Sequence, residues 1–156
     1  HALLAKTPTF LSYIFSFIYV AIYWNNHHHL FQITQKVNGK ILWANSHLLF
    51  WLSLVPFTTA WIGENYEAKL PVIAYGVVLL FCAIAYFILQ SVIIKSHDNS
   101  FPLRRVVGSD RKGKISIGCY ILGIACSFLN TWLGIAFYVI VAIMWLIPDK
   151  RIEENL

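Results

Sequence analysis

Charge is what this sequence has least of. Asp, Glu, Lys and Arg make up 12% of its 156 residues, about half the share of an ordinary soluble domain. None of the seven acidic residues falls inside an apolar run. Cysteine is also scarce. Cys82, Cys119 and Cys126 all lie within apolar stretches. Their odd number and the lack of any C-x-x-C spacing exclude a disulfide framework and a zinc site, and leave them as small packing residues. The chain has no glycine-rich phosphate loop, no paired carboxylates and no nucleophile beside an evident base. Catalysis is therefore not expected, and neither is a cofactor, a metal or a small-molecule substrate. The T-V-G-Y-G run that builds a carbonyl filter is missing, as is a helix with arginine at every third position. Those absences exclude the ordinary potassium-channel filter and the usual voltage sensor. No internal repeat is visible. The first residues, His1 to Pro8, lack the basic region, apolar stretch and cleavage site of a secretory signal.

What the chain does have is hydrophobic bulk. Apolar residues account for 58% and aromatics for 16%. They gather in five segments, at about 9–26, 41–62, 70–94, 115–129 and 131–147. A helix crossing a bilayer needs about 20 apolar residues, so these segments predict an all-α, polytopic transmembrane bundle forming one domain over 1–156. The last two segments are short, and only Asn130 and Thr131 separate them. They read as a tight hairpin of full spans that recruit their interfacial flanks.

The net charge of +5 does not point to nucleic acid, because the basic residues sit between the spans. Lys36 and Lys40 follow the first span. Lys95, Arg104, Arg105, Arg111, Lys112 and Lys114 follow the third, and Lys150 and Arg151 follow the fifth. The intervening connections hold Lys69 with Glu64 and Glu67, or no charge at all. High and low counts alternate as the positive-inside rule requires. The His27 end of the first span, the 95–114 loop and the C-terminus are thus expected to be cytoplasmic, with His1 outside. An outward start without a signal peptide leads us to expect a sixth helix before His1.

Polar residues inside the spans are few and gather at one depth. Trp24, Asn25, Asn26, His27, His28 and His29 close the first span, while Asn45, Ser46 and His47 open the second. Consecutive histidines on a helix point about 100° apart, so His27, His28 and His29 do not form a single metal site. Polar side chains in lipid need partners. Trp24, Asn26, His27, Asn45 and His47 are accordingly expected to share an intramembrane polar network, with His27 and Asn45 within one hydrogen-bonded layer and His28 and His29 more exposed. A carboxylate would suit this layer, but the spans contain none. Pro56, followed by Thr58 and Thr59, frees a carbonyl one turn earlier and predicts a kink in the second span. Ser116, Cys119, Gly123 and Cys126 suggest a smooth stripe for close helix approach.

In order and spacing, Trp24-x-x-His27-x-x-Leu30-Phe31-Gln32, Asn45 and Leu54-Val55-Pro56-Phe57-Thr58 resemble the transmembrane protein 175 potassium channels. The resemblance covers about residues 10–94, and the length is similar to the single-repeat bacterial form. It implies six helices per subunit and a homotetramer around a pore lined by the first helix, which bears an Arg-x-x-x-Phe-Ser-Asp signature. Selectivity would then come from narrow apolar rings and a hydroxyl-bearing layer. Phe-Ser-Asp does not occur in this sequence, so the pore-lining residues are expected on a helix preceding His1. By the same resemblance, His27 takes the position that packs against the signature Asp, and Asn45 that of its polar partner.

The expected function is a subunit of a potassium-permeable channel in a bacterial inner membrane. The permeant potassium ion would pass passively through a hydrophobic constriction. The alternatives are a proton-coupled secondary transporter using the histidine layer and, further off, a membrane enzyme with histidine ligands.

Overall fold

A computed structural model describes residues 7–65, 67–97 and 110–146. These residues form five α-helices: α1 (Thr7–Gln32), α2 (Gly39–Glu64), α3 (Lys69–Lys95), α4 (Arg111–Ser127) and α5 (Thr131–Leu146). No strand occurs among them. The all-α class follows from long apolar stretches with little proline or glycine to interrupt them. By length and composition, α2 and α3 qualify as membrane-crossing helices among the described residues, and α5 is apolar but shorter.

Helix α1 runs six residues past the end expected at Asn26 and takes in all three consecutive histidines. Tyr19, Ile22, Asn26 and Leu30 are all buried along one face. Leu30 belongs to the same stripe as Tyr19, so the helix continues until that stripe is complete. Thr34 closes it, its hydroxyl donating to the Leu30 carbonyl at 2.8 Å. Helix α2 starts on an Asn38 cap, whose Oδ1 accepts the Ile41 N–H at 3.0 Å. It continues unbroken through Pro56 to Glu64. The Thr58 and Thr59 hydroxyls donate to the Leu54 and Val55 carbonyls at 3.0 and 2.6 Å, adding hydrogen bonds around the proline turn.

Helix α4 begins at Arg111, four residues before the expected start. Asp110 caps it by accepting the Gly113 N–H at 2.9 Å. Arg111, Lys112 and Lys114, assigned above to the loop, thus form its first turn. The rest of that loop (98–109), the basic tail and Pro148 lie outside the described residues, as do His1 and its neighbours. Helix α4 ends at Ser127, two residues earlier than expected. Lys69 Nζ donates to the Phe128 carbonyl at 2.7 Å, placing a cation at the helix C-terminus.

Helix α3 is the centre of the bundle. It packs against α2, α4 and α5, while α1 packs on α2 and reaches α5, and α5 pairs with α4. Its buried residues recur along the whole length, from Val72 through Tyr75, Leu79, Cys82 and Leu89 to Ile93. One core joins all the helices around Tyr19, Tyr75, Tyr120 and Tyr138. A second, around Leu30, Ile41, Leu48 and Leu89, binds α1, α2 and α3 at the His27 end.

The α4–α5 hairpin is built on close approach, along a line that differs from the expected stripe. Ser116, Tyr120, Gly123 and Ser127 are buried, while Cys119 and Cys126 lie only partly buried beside them. At 3.6 residues per turn, a stripe started at 116 passes nearer 120 and 127 than 119 and 126. A Cβ on Gly123 would lie 2.6 Å from Tyr138 Cε1, and one on Gly134 would lie 2.9 Å from the Gly123 carbonyl oxygen. Glycine at both positions is what lets the two backbones approach.

Candidate functional site

The end of α1 and the start of α2 face each other across the short 33–38 connection. His27 Nε2–H donates to Asn45 Oδ1 at 2.6 Å, with both side chains half-buried. Phe31, one turn further along α1, stacks on the imidazole at a centroid distance of 4.6 Å. The ring is thereby held by a hydrogen bond at its rim and an aromatic face at its back. Among the described residues His27 Nδ1 has no hydrogen bond, so this nitrogen is the open position of the pair.

The other members of the expected network do not converge on this pair. Asn26 is buried on the next face of α1, and its amide donates to the Ile22 carbonyl at 2.8 Å. Its own carbonyl accepts the Tyr86 hydroxyl at 3.2 Å, which ties α1 to α3. His47 lies two residues beyond Asn45, about 200° around the helix, and is exposed. Its Nε2 accepts the Trp51 indole N–H at 3.0 Å, and Trp51 stacks on Phe81 of α3 at 4.4 Å. Trp24 is also exposed and stacks on His28 at 5.3 Å. The single network expected from shared depth is therefore four separate sets of contacts. Depth placed these residues at one level, but helical phase sends them in different directions.

At this same end the 33–38 connection is fastened to the end of α3. The Lys36 backbone N–H donates to His97 Nε2 at 3.2 Å, and His97 Nδ1–H donates to the Ile93 carbonyl at 2.8 Å. Asn38 Nδ2 donates to Ser96 Oγ at 3.1 Å. These contacts position the first turn of α2, and with it Asn45.

Sequence reasoning passed over the tyrosines. The Tyr19 hydroxyl donates to the Tyr138 carbonyl, and the Tyr138 hydroxyl donates to the Val72 carbonyl at 3.3 Å. Together these bonds join α1, α5 and α3 through the core. The high aromatic content was the available signal, but nothing in it says which rings meet. Among the described residues, no group of three or more His, Cys, Asp or Glu side chains is arranged to hold a metal ion.

Comparison with known proteins gives consistent results. The sequence profile of the family described as endosomal/lysosomal potassium channel TMEM175 matches residues 1–56, the stretch that holds His27 and Asn45. A potassium channel of Chryseobacterium sp. is 58% identical over 149 residues, covering 96% of this chain and 78% of that protein. A potassium channel of Chamaesiphon minutus is 24% identical over 91% of this chain and 73% of its own length. One from Streptomyces collinus is 29% identical over 55% of this chain and 44% of its own length. No solved structure matches the chain.

Proposed function

Since the chain belongs to the TMEM175 family of potassium channels, we propose that it is one subunit of a homotetrameric, potassium-permeable pore in a bacterial inner membrane. The observation that carries this reading is the 58% identity to a potassium channel over 96% of the chain. All five helices are taken to cross the bilayer. Helices α4 and α5, of 17 and 16 residues, are each about 25 Å long at 1.5 Å per residue. They would cross a hydrocarbon layer of about 30 Å with help from interfacial flanks and local thinning. Loop charge supports a cytoplasmic location for the His27–Asn45 end and for the C-terminus.

In this reading the single domain surrounds the pore, and the pore-lining surface comes from a helix N-terminal to His1. The open Nδ1 of His27 supports that arrangement. An acid on the preceding helix would accept from Nδ1 when the ring is charged, while Nε2–H holds Asn45. The pair would then brace the pore helix from behind. Conduction would be passive, through a constriction of apolar side chains, with no cofactor and no chemical step. No Asp or Glu lies in the interior of the five helices, so nothing here favours a proton-coupled transporter.

Potassium flux into liposomes containing the full-length protein tests the proposal. Passive flux down a potassium gradient, without a proton gradient, is expected. Flux that stops when the proton gradient is removed would replace the channel with a transporter.

A further inference from the structure

One cavity among the described residues has no part in the site above. It is a crevice of about 160 Å³ between α1, α3 and the α4–α5 hairpin. Tyr23, Ala83, Tyr86, Tyr120, Val141 and Trp145 are among its walls, and Asp110, Gly113 and Lys114 border it at the start of α4. We propose that this crevice holds an acyl chain of an anionic phospholipid whose phosphate rests against Arg111 and Lys114. The inference rests on the membrane reading above, which puts the start of α4 at the cytoplasmic leaflet.

Size sets the first limit. A dry apolar cavity of about 150 Å³ takes a molecule the size of benzene. A helix, about 10 Å across with its side chains, does not fit. The end of a lipid tail does.

Chemistry sets the second limit, because Asn26, Tyr86, Asp110, Ser116 and Trp145, all along the lining, already have partners within the protein. Asn26 Nδ2 donates to the Ile22 carbonyl at 2.8 Å, and Tyr86 donates to the Asn26 carbonyl at 3.2 Å. The Ser116 hydroxyl donates to the Lys112 carbonyl and accepts the Trp145 indole N–H, both at 2.8 Å. Asp110 Oδ1 is occupied by the Gly113 N–H. An ion or a buried water needs several free polar partners, and this lining offers an apolar occupant better terms.

Charge decides the head group. Among the described residues at the start of α4, Arg111, Lys112 and Lys114 stand against a single carboxylate, Asp110. Lys112 lies over the Trp145 ring, 5.7 Å from its centroid. Arg111 and Lys114 are exposed and one turn apart, so they share a helix face. An anionic phosphate at that level meets two cations while its tail enters between Trp145 and Tyr23. A zwitterionic head group would gain much less.

The test is lipid retention by the full-length protein in detergent, read by native mass spectrometry. The probes are phosphatidylglycerol and phosphatidylcholine with identical chains. A basic residue near an anionic surface is worth about a fivefold gain in binding, so two give about a 30-fold preference for phosphatidylglycerol. One retained molecule per chain is expected. The double substitution Arg111→Gln and Lys114→Gln, on exposed positions, should reduce the preference to about twofold or less. Ala83→Phe should fill the crevice and abolish retention of both lipids, with helicity checked by circular dichroism. The site is refuted by no retained lipid, by equal retention of the two lipids, by an unchanged preference in the double variant, or by unchanged retention in a folded Ala83→Phe protein. Potassium flux from the same preparation reports on the channel separately. Flux without lipid retention defeats this site alone, and lipid retention without flux defeats the channel reading alone.

Discussion

A hydrogen bond in an apolar layer matters most through what its loss leaves behind. Asn45→Leu removes the acceptor of His27 Nε2–H and leaves a half-buried donor unpaired, which costs about 1–3 kcal/mol. A lower melting temperature in detergent is the expected result, and an unchanged one would mean that the imidazole has another acceptor. Tyrosine gives the opposite case. The Tyr75 hydroxyl is buried without a partner among the described residues, whereas the Tyr19 hydroxyl donates to the Tyr138 carbonyl. Tyr75→Phe therefore removes an uncompensated polar group and should be neutral or stabilising. Tyr19→Phe should cost about 0.5–1.5 kcal/mol, because it removes a buried hydrogen bond between α1 and α5. Equal losses in the two variants would show that Tyr75 is bonded after all. Both comparisons use the same thermal melts.

At the scale of elements, the α4–α5 hairpin depends on two glycines more than on its apolar side chains. Gly123→Leu places a branched side chain where even a Cβ would lie 2.6 Å from Tyr138. Overpacking of this kind costs about 1–3 kcal/mol, and more where backbones must separate. The expected signs are a lower melting temperature and faster proteolysis at the Asn130 turn. Cys126→Ala, on the flank of the contact line, should leave both nearly unchanged. The hairpin also shows what sequence could reveal. Five helices, their order and the short turn at Asn130 were legible because apolar runs and their breaks are local. That His27 and Asn45 lie at one level was legible because both flank one short connection, but their direct bond is seen only in the structure. The start of α4 was misread because the Asp110 cap lies in a charged stretch that looks like loop. His47 and Trp24 were misplaced because depth is read from position along the chain, whereas facing depends on helical phase. The tyrosine contacts between α1, α3 and α5 join residues more than 60 apart in sequence, and no local pattern encodes them.

For the whole molecule, the question is what covers the outer face of α1. Phe10, Tyr13, Phe17 and Trp24 are 61%, 67%, 63% and 62% exposed and follow one another at three, four and seven residues. That spacing places four aromatic rings along one side of the helix, adjoining the end where His27 bonds Asn45. Lipid could face such a stripe, but stacked rings also suit a protein neighbour, since aromatic pairs add about 0.5–1.5 kcal/mol beyond their buried area. Under the proposed tetramer, this stripe is the surface that meets a neighbouring copy. Light scattering of the purified protein in detergent should give the mass of four chains. Replacing Tyr13 and Phe17 together with alanine should shift that mass toward a single chain while circular dichroism stays the same, because neither residue is buried in the core. Potassium flux should fall in parallel, since a pore shared by four subunits cannot survive their separation. A mass of four chains retained by the double variant would mean that the stripe faces lipid and that the subunits meet elsewhere. A single-chain mass for the unaltered protein in several mild detergents would remove the tetramer itself.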